Sequence, residues 1–358
     1  MSILRNLALI VFLVASVLPT RFAVAGEGLK KGPATRFSVR FFNKLTPLKR
    51  MQFAVAAMVM RGSDLSNITF NMHDRVENFG RNLKQGTWMY ATNFAMRRKG
   101  ISFWIHLRQY YTPDHHSFIN FFTSWDGSVQ RSVSYQAGIP SPDCIIMDKP
   151  YTAIRPNVYL DILGFRVDTS LYDTTLATYL RNAINNKWQQ YSARARTSSD
   201  GPEIVVRVST GSNVGASYRY LHYREYWLDA ERGFMPVRYH EVYWSQGKVD
   251  SRVTAEVTSA KRINGVWVPL AMKQTAQNSA MPGVRTVRSC QIKQFSIGTV
   301  KSDDLRLEFP KGSRLLNLIT MRSYYKNHLG KLVPQPLYIP QSGEILRPIS
   351  SAEGTSKP

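Results

Sequence analysis

The chain has 358 residues, with 47 Lys and Arg against 24 Asp and Glu, for a formal net charge of +23. After the first 25 residues no run of 18 uninterrupted apolar residues occurs, which excludes a transmembrane helix from the remainder. The basic surface suits polyanions, and the length suits one large, mainly β domain with extensions.

Residues 1–25 read as a cleavable signal peptide. Arg5 is the positive flank, Leu7 to Leu18 the apolar stretch, and Ala23-Val24-Ala25 the small-x-small site, with cleavage after Ala25. The apolar stretch is well short of the roughly 20 residues that a bilayer span needs. No cysteine follows it, so a lipobox anchor is excluded. The expected location is the periplasm or cell envelope, and loss of Arg5 and Arg21 brings the +23 charge to +21. There the relevant polyanions are lipid head groups and cell-wall or acidic surface polymers, not nucleic acid.

Residues 26–66 form a basic N-terminal segment, irregular to about 45 and then helical over 44–62, where Leu48, Met51, Ala54, Val55, Met58 and Val59 recur at helical spacing. From Asn67 the period changes to two. Strands are expected over 68–76, 88–98, 101–108, 117–125 and 128–135, and again over 203–209, 223–228, 237–244, 252–259, 266–274 and 285–295. Asp126-Gly127 reads as a two-residue type I′ hairpin turn, and Lys99-Gly100, Gln246-Gly247 and Asn264-Gly265 mark further turns. Between the two strand blocks a helix is expected over 170–191, capped by Ser170, with Leu171, Leu176, Tyr179, Leu180 and Ile184 on one face. The domain closes near residue 312. The extension 313–358 carries Pro334, Pro336, Pro340 and Pro348 and is expected to be disordered at its end.

Cys144 and Cys290 form an even pair in an oxidising compartment, so a disulfide and two buried thiols are both open. Catalytic handles are missing. Gly211-Ser212-Asn213-Val214-Gly215 has serine in the wrong place for a nucleophile elbow, and no zinc-protease, phosphate-loop, dinucleotide or Cys-x-x-Cys motif occurs. The expectation is a non-enzyme without cofactor. His106 with Asp114-His115-His116 is the most metal-like cluster, but adjacent residues on a strand point to opposite faces, so polar loop roles are expected and no metal. Asp161, Asp168 and Asp173 suit turns and helix caps. Tyr218 to Arg224 interleaves aromatic and basic residues, which suits cross-strand pairs better than a nucleic-acid platform.

The stretch Tyr226 to Tyr239, with its Asp229-Ala230-Glu231-Arg232-Gly233 turn and Pro236-Val237-Arg238 strand, is followed by Gly265-Val266-Trp267-Val268-Pro269. With the Trp125-Asp126-Gly127 hairpin, this resembles the superfamily of outer-membrane lipoprotein carriers and their mycobacterial lipid-binding relatives, over about residues 68 to 310. The resemblance implies a strongly bent, open antiparallel sheet, an unclosed half-barrel whose concave face is covered by helices around a cavity for acyl chains. It brings no catalytic residues.

The leading expectation is therefore an exported α+β protein, mainly antiparallel β, that binds a lipid, a lipidated protein or another amphiphile. Phe103, Ile105, Leu107, Ile119, Phe121, Val206 and Val208 are the candidate lining residues, though the same pattern would fill a solid core. The alternative is an envelope adaptor that binds anionic surface polymer through its basic exterior.

Overall fold

The computed structural model describes residues 37–80, 86–136, 141–148, 163, 175–214, 218–245 and 248–336. The expected signal peptide, the cap at Ser170, the turn at Gln246-Gly247 and the tail from 337 lie outside these residues. Thr46 accepts the N–H of Lys49 at 3.4 Å and starts helix α2 (Pro47–Asp64), with Pro47 in the first turn, where a missing N–H costs nothing. The helix expected over 44–62 thus begins three residues later. Before it, Ser38 accepts from Phe41 and starts a short helix α1 (Val39–Lys44), in a stretch expected to be irregular. The expected 170–191 helix is described as α3 (Leu176–Asn185), whose cap is Thr175 and which gives way to a strand at Gln189.

Sixteen strands join in one sheet among the described residues: β1 (Asn67–Phe79), β2 (Thr87–Lys99), β3 (Ser102–Tyr110), β4 (Phe118–Trp125), β5 (Gln130–Gln136), β6 (Asp143–Met147), β7 (Gln189–Ser198), β8 (Gly201–Val214), β9 (Tyr218–Asp229), β10 (Met235–Ser245), β11 (Lys248–Ile263), β12 (Val266–Asn278), β13 (Arg285–Ile297), β14 (Arg314–Asn317), β15 (Arg322–Lys326) and β16 (Leu332–Gln335). Their order is β16-β15-β14-β6-β5-β4-β3-β2-β1-β13-β12-β11-β10-β9-β8-β7. Two meanders, β1–β6 and β7–β13, meet where β1 pairs with β13. Neighbours are antiparallel except β14 and β6, which run parallel because the segment after β13 crosses the first meander before turning back into the sheet. The sheet is curved and unclosed, an α+β half-barrel.

Two expectations change here. The sheet continues past residue 312, since β14, β15 and β16 extend it to Gln335. The β4–β5 connection is a four-residue loop, Asp126 to Val129, and not a two-residue turn: Asp126 Oδ1 accepts the N–H groups of Ser128 and Val129 at 2.9 and 2.8 Å, and only Gly127 has positive φ. The turn with positive φ at both residues is Asn264-Gly265, at 48° and 84°, between the paired Ile263 and Val266.

Helices α2 and α3 pack on each other and on β7 and β8. They cover the inner face of the sheet, and the main core lies between: Met51, Ala54 and Met58 of α2, Leu176 and Leu180 of α3, and inner-face residues from Ile68 on β1 to Val208 on β8. A second, smaller core sits on the outer face, where Leu307 and Phe309 of the crossing segment pack on Val133, Cys144 and Leu315. The cysteines belong to different cores on opposite faces. Both are buried, and β6 and β13 are separated by β1 to β5 in the sheet, so no disulfide joins Cys144 to Cys290.

Candidate functional site

Strand alternation places Phe103, Ile105 and Leu107 on the inner face of β3. Across from them lie Met96 and Phe94 on β2, opposite Ile105 and Leu107, and Thr123 and Phe121 on β4. Ile119 follows Phe121 on the same face. Val206 and Val208 lie on the inner face of β8, eight strands away along the sheet, and share the main core with Phe103 and Ile105 because the sheet curves around the helices. The seven candidates therefore divide. Phe103, Ile105, Val206 and Val208 are only 4, 1, 0 and 1% exposed and belong to the main core. Leu107, Ile119 and Phe121 are half-buried and form an apolar strip on the inner face of β3 and β4, and Leu107 packs against the main core.

The inner face also carries polar residues that periodicity did not single out, Arg288, Gln274, Tyr239 and Tyr226 among them. Arg288, Gln274, Ala255, Tyr239, Tyr226 and Val206 are successive cross-strand partners from β13 to β8. At one end of this row, Arg288 Nε lies 2.8 Å from Asp74 Oδ2, and Cys290 Sγ lies 3.4 Å from the other carboxylate oxygen. Burial raises the Asp74 carboxyl above its ordinary value against the pull of Arg288. Arg288 Nη2 also donates to Tyr90 Oη at 3.3 Å, and the buried Oε1 of Gln274 has no partner among the described residues.

Two residues beyond Tyr239 on β10, Glu241 is held by four side chains. Oε1 accepts from His222 Nε2 at 2.8 Å, Arg224 Nε at 2.6 Å and Tyr243 Oη at 2.9 Å, and Oε2 accepts from Tyr239 Oη at 2.6 Å. Burial opposes ionisation, yet His222, Arg224 and Tyr239 outweigh it and bring the carboxyl down to about 2. His222 stacks on Tyr243 at 4.0 Å, and the Arg224 guanidinium lies over Tyr179 of α3. The inner face thus carries, besides its apolar residues, two clusters of internally paired charges, Asp74 with Arg288 and Glu241 with His222 and Arg224.

The metal-like cluster does not converge. His106 Nε2 bonds Asn120 Oδ1 at 2.6 Å and its ring stacks on Phe122, and burial lowers its basicity against the Asn120 bond. His115 stacks on Tyr110, four residues further along β3, about 13 Å away at the strand rise. Asp114 Oδ1 accepts the backbone N–H of His116. No group of three His, Cys, Asp or Glu placed to hold a metal occurs among the described residues. Asp161, Asp168 and Asp173 lie outside them. Within Tyr218 to Arg224, His222 and Arg224 turn inward to Glu241, and Tyr223 is covered on the outer face by Arg207 at 4.0 Å.

A cleft of about 850 Å³ opens elsewhere, between the crossing segment and β2–β5, lined by Lys99, Arg131, Arg306 and Lys326 with Asp126 and Glu308 among others. Its charges are largely engaged: Arg131 with Asp126 at 2.9 Å, Lys99 with Ser302, and Lys326 with the Phe309 carbonyl. Among the described residues, no helix is long and apolar enough to cross a membrane.

No protein-family model matches the chain, and no curated protein matches it. Among solved structures, a DUF1329 family protein from Desulfovibrio piger aligns with 71% of this chain and 95% of its own, at 10% identity and a TM-score of 0.32.

Proposed function

We propose that the protein is an exported, non-enzymatic binder of an amphiphile, such as a lipid or a lipoprotein acyl chain, held against the inner face of the half-barrel. The observation that carries this reading is the half-buried strip Leu107, Ile119 and Phe121 on the inner face, which meets the main core at Leu107. Apolar surface left at the margin of a core marks a place for an apolar ligand. The test is native mass spectrometry of protein purified from its own envelope. Adducts of amphiphile mass are expected, and they should be lost in Phe121→Gln with the fold retained by circular dichroism. A wild-type protein free of any amphiphile would sink the proposal.

A second reading is favoured by the packing of Phe103, Ile105, Val206 and Val208, which makes much of the interior solid. On this reading the protein is an envelope adaptor that binds anionic cell-surface polymer through its basic exterior. Retention on such a polymer by amphiphile-free protein would distinguish it.

A further inference from the structure

The last three strands form a ribbon at one edge of the sheet, and its composition differs from the rest. From Lys311 to Gln335 there are five basic residues (Lys311, Arg314, Arg322, Lys326, Lys331) and no Asp or Glu. The same ribbon exposes Leu318, Ile319, Met321, Tyr325, Leu329, Leu332 and Val333, each between 38 and 66% accessible. A soluble hairpin normally puts Gly, Asn, Asp or Ser in its connections. Here the β14–β15 loop carries Leu318, Ile319 and Met321, and it is not slack: Asn317 Oδ1 accepts the N–H groups of Ile319 and Thr320 at 3.0 and 3.1 Å, and Met321 takes φ +52°. The β15–β16 loop presents Leu329 while Asn327 Oδ1 fixes Lys331 N–H at 2.9 Å. Both loops are built to a set shape with aliphatic side chains outward.

We infer that this ribbon docks the protein on an anionic lipid surface, with its aliphatic loop residues entering the interface and Arg322 and Lys331 facing phosphate head groups. The charge selects this occupant. Anionic surfaces attract each basic residue near them, whereas a second copy would bring a like-charged ribbon against this one. Strand addition at the edge is opposed as well, because Pro334 in β16 and Pro336 after it have no N–H to offer an incoming strand. Docking does not depend on a bound amphiphile, so it stands or falls separately from the cargo reading.

The experiment is cosedimentation of the full chain with vesicles of phosphatidylcholine alone and of phosphatidylcholine mixed with phosphatidylglycerol. Binding is expected to the mixed vesicles only and to fall with salt. Arg322→Gln with Lys331→Gln should weaken it about 25-fold, at roughly fivefold per charge. Ile319→Ser with Leu329→Ser should weaken it at least about tenfold, with an unchanged near-ultraviolet circular dichroism spectrum and unchanged amphiphile adducts. Equal binding to neutral vesicles, or full binding by both variants, would overturn the inference. So would a concentration-dependent dimer that both variants abolish, since the ribbon would then be an interface between copies.

Discussion

The side-chain amide of Asn43 in α1 pairs with both backbone groups of Ala195 in β7: Nδ2 donates to the carbonyl at 2.8 Å, and Oδ1 accepts the N–H at 2.9 Å. Arg50 in α2 adds a bond to the Ala193 carbonyl at 2.9 Å. β7 is the terminal strand at one end of an open sheet, and such an edge invites pairing with another chain. Two helix side chains stand in for the missing neighbour strand. The other edge, β16, is protected by prolines.

Asn43→Ala should therefore destabilise the fold by about 2–4 kcal/mol, since it leaves a donor and an acceptor without partners in a part-buried position. The urea midpoint would fall by the corresponding amount. Aggregation on warming should rise too, because the β7 edge becomes available. A midpoint equal to that of the parent protein would show that water replaces the amide without loss.

Glu241 predicts an acid limb of stability. Its carboxyl is near 2 in the folded protein, against an ordinary value of 4.5, so the folded state binds this proton less readily than the unfolded chain. The stabilisation is present above about pH 4.5, and it is lost as pH falls toward 2. It amounts to about 3 kcal/mol at order-of-magnitude level. Glu241→Gln should lower stability at pH 7 and flatten the pH dependence of the unfolding midpoint between pH 5 and 2. An unaltered acid limb in that variant would assign the effect to other carboxylates.

The Asp74–Arg288 pair should behave as a buried ion pair. Asp74→Val or Arg288→Met alone should cost about 3–5 kcal/mol, because each leaves the other charge without its partner. The double variant should cost less than the sum by about 1–3 kcal/mol. A thermodynamic cycle by urea unfolding measures the difference, and strict additivity would refute the coupling.

Both cysteines should titrate as thiols in the unfolded protein without reductant and resist alkylation in the folded one. Burial pushes the Cys144 thiol up to about 11, which keeps it protonated and unreactive at neutral pH, and Cys290 is sealed in the main core. Counting thiols with an aromatic disulfide reagent in denaturant should give two. A count of zero would restore the disulfide.

The strand periodicity was legible because alternation is local: Phe103, Ile105 and Leu107 share the inner face as their spacing requires, and Asn264-Gly265 makes the turn that its two positive-φ residues favour. The two buried carboxylates were legible in principle, since Asp74 interrupts the apolar alternates Ile68, Phe70, Met72 and Val76, and Glu241 stands between Tyr239 and Tyr243. What those interruptions mean was not, because Asp74 meets Arg288, and Glu241 meets His222 and Arg224, only through pairings between strands. The short strands β6, β14, β15 and β16 also escaped, being too brief to show a period, and so did β7, whose first residues fell inside the expected 170–191 helix. By itself the sequence determined the types of most of the longer elements, the basic charge and the alternation that gives the sheet an apolar face. Tertiary structure alone decided that Cys144 and Cys290 lie apart, that Phe103 and Val208, far apart in the chain, share one core, and that Asn43 closes the edge. These depend on strand order and curvature, which bring together residues as distant as 43 and 195, and no local pattern encodes that distance.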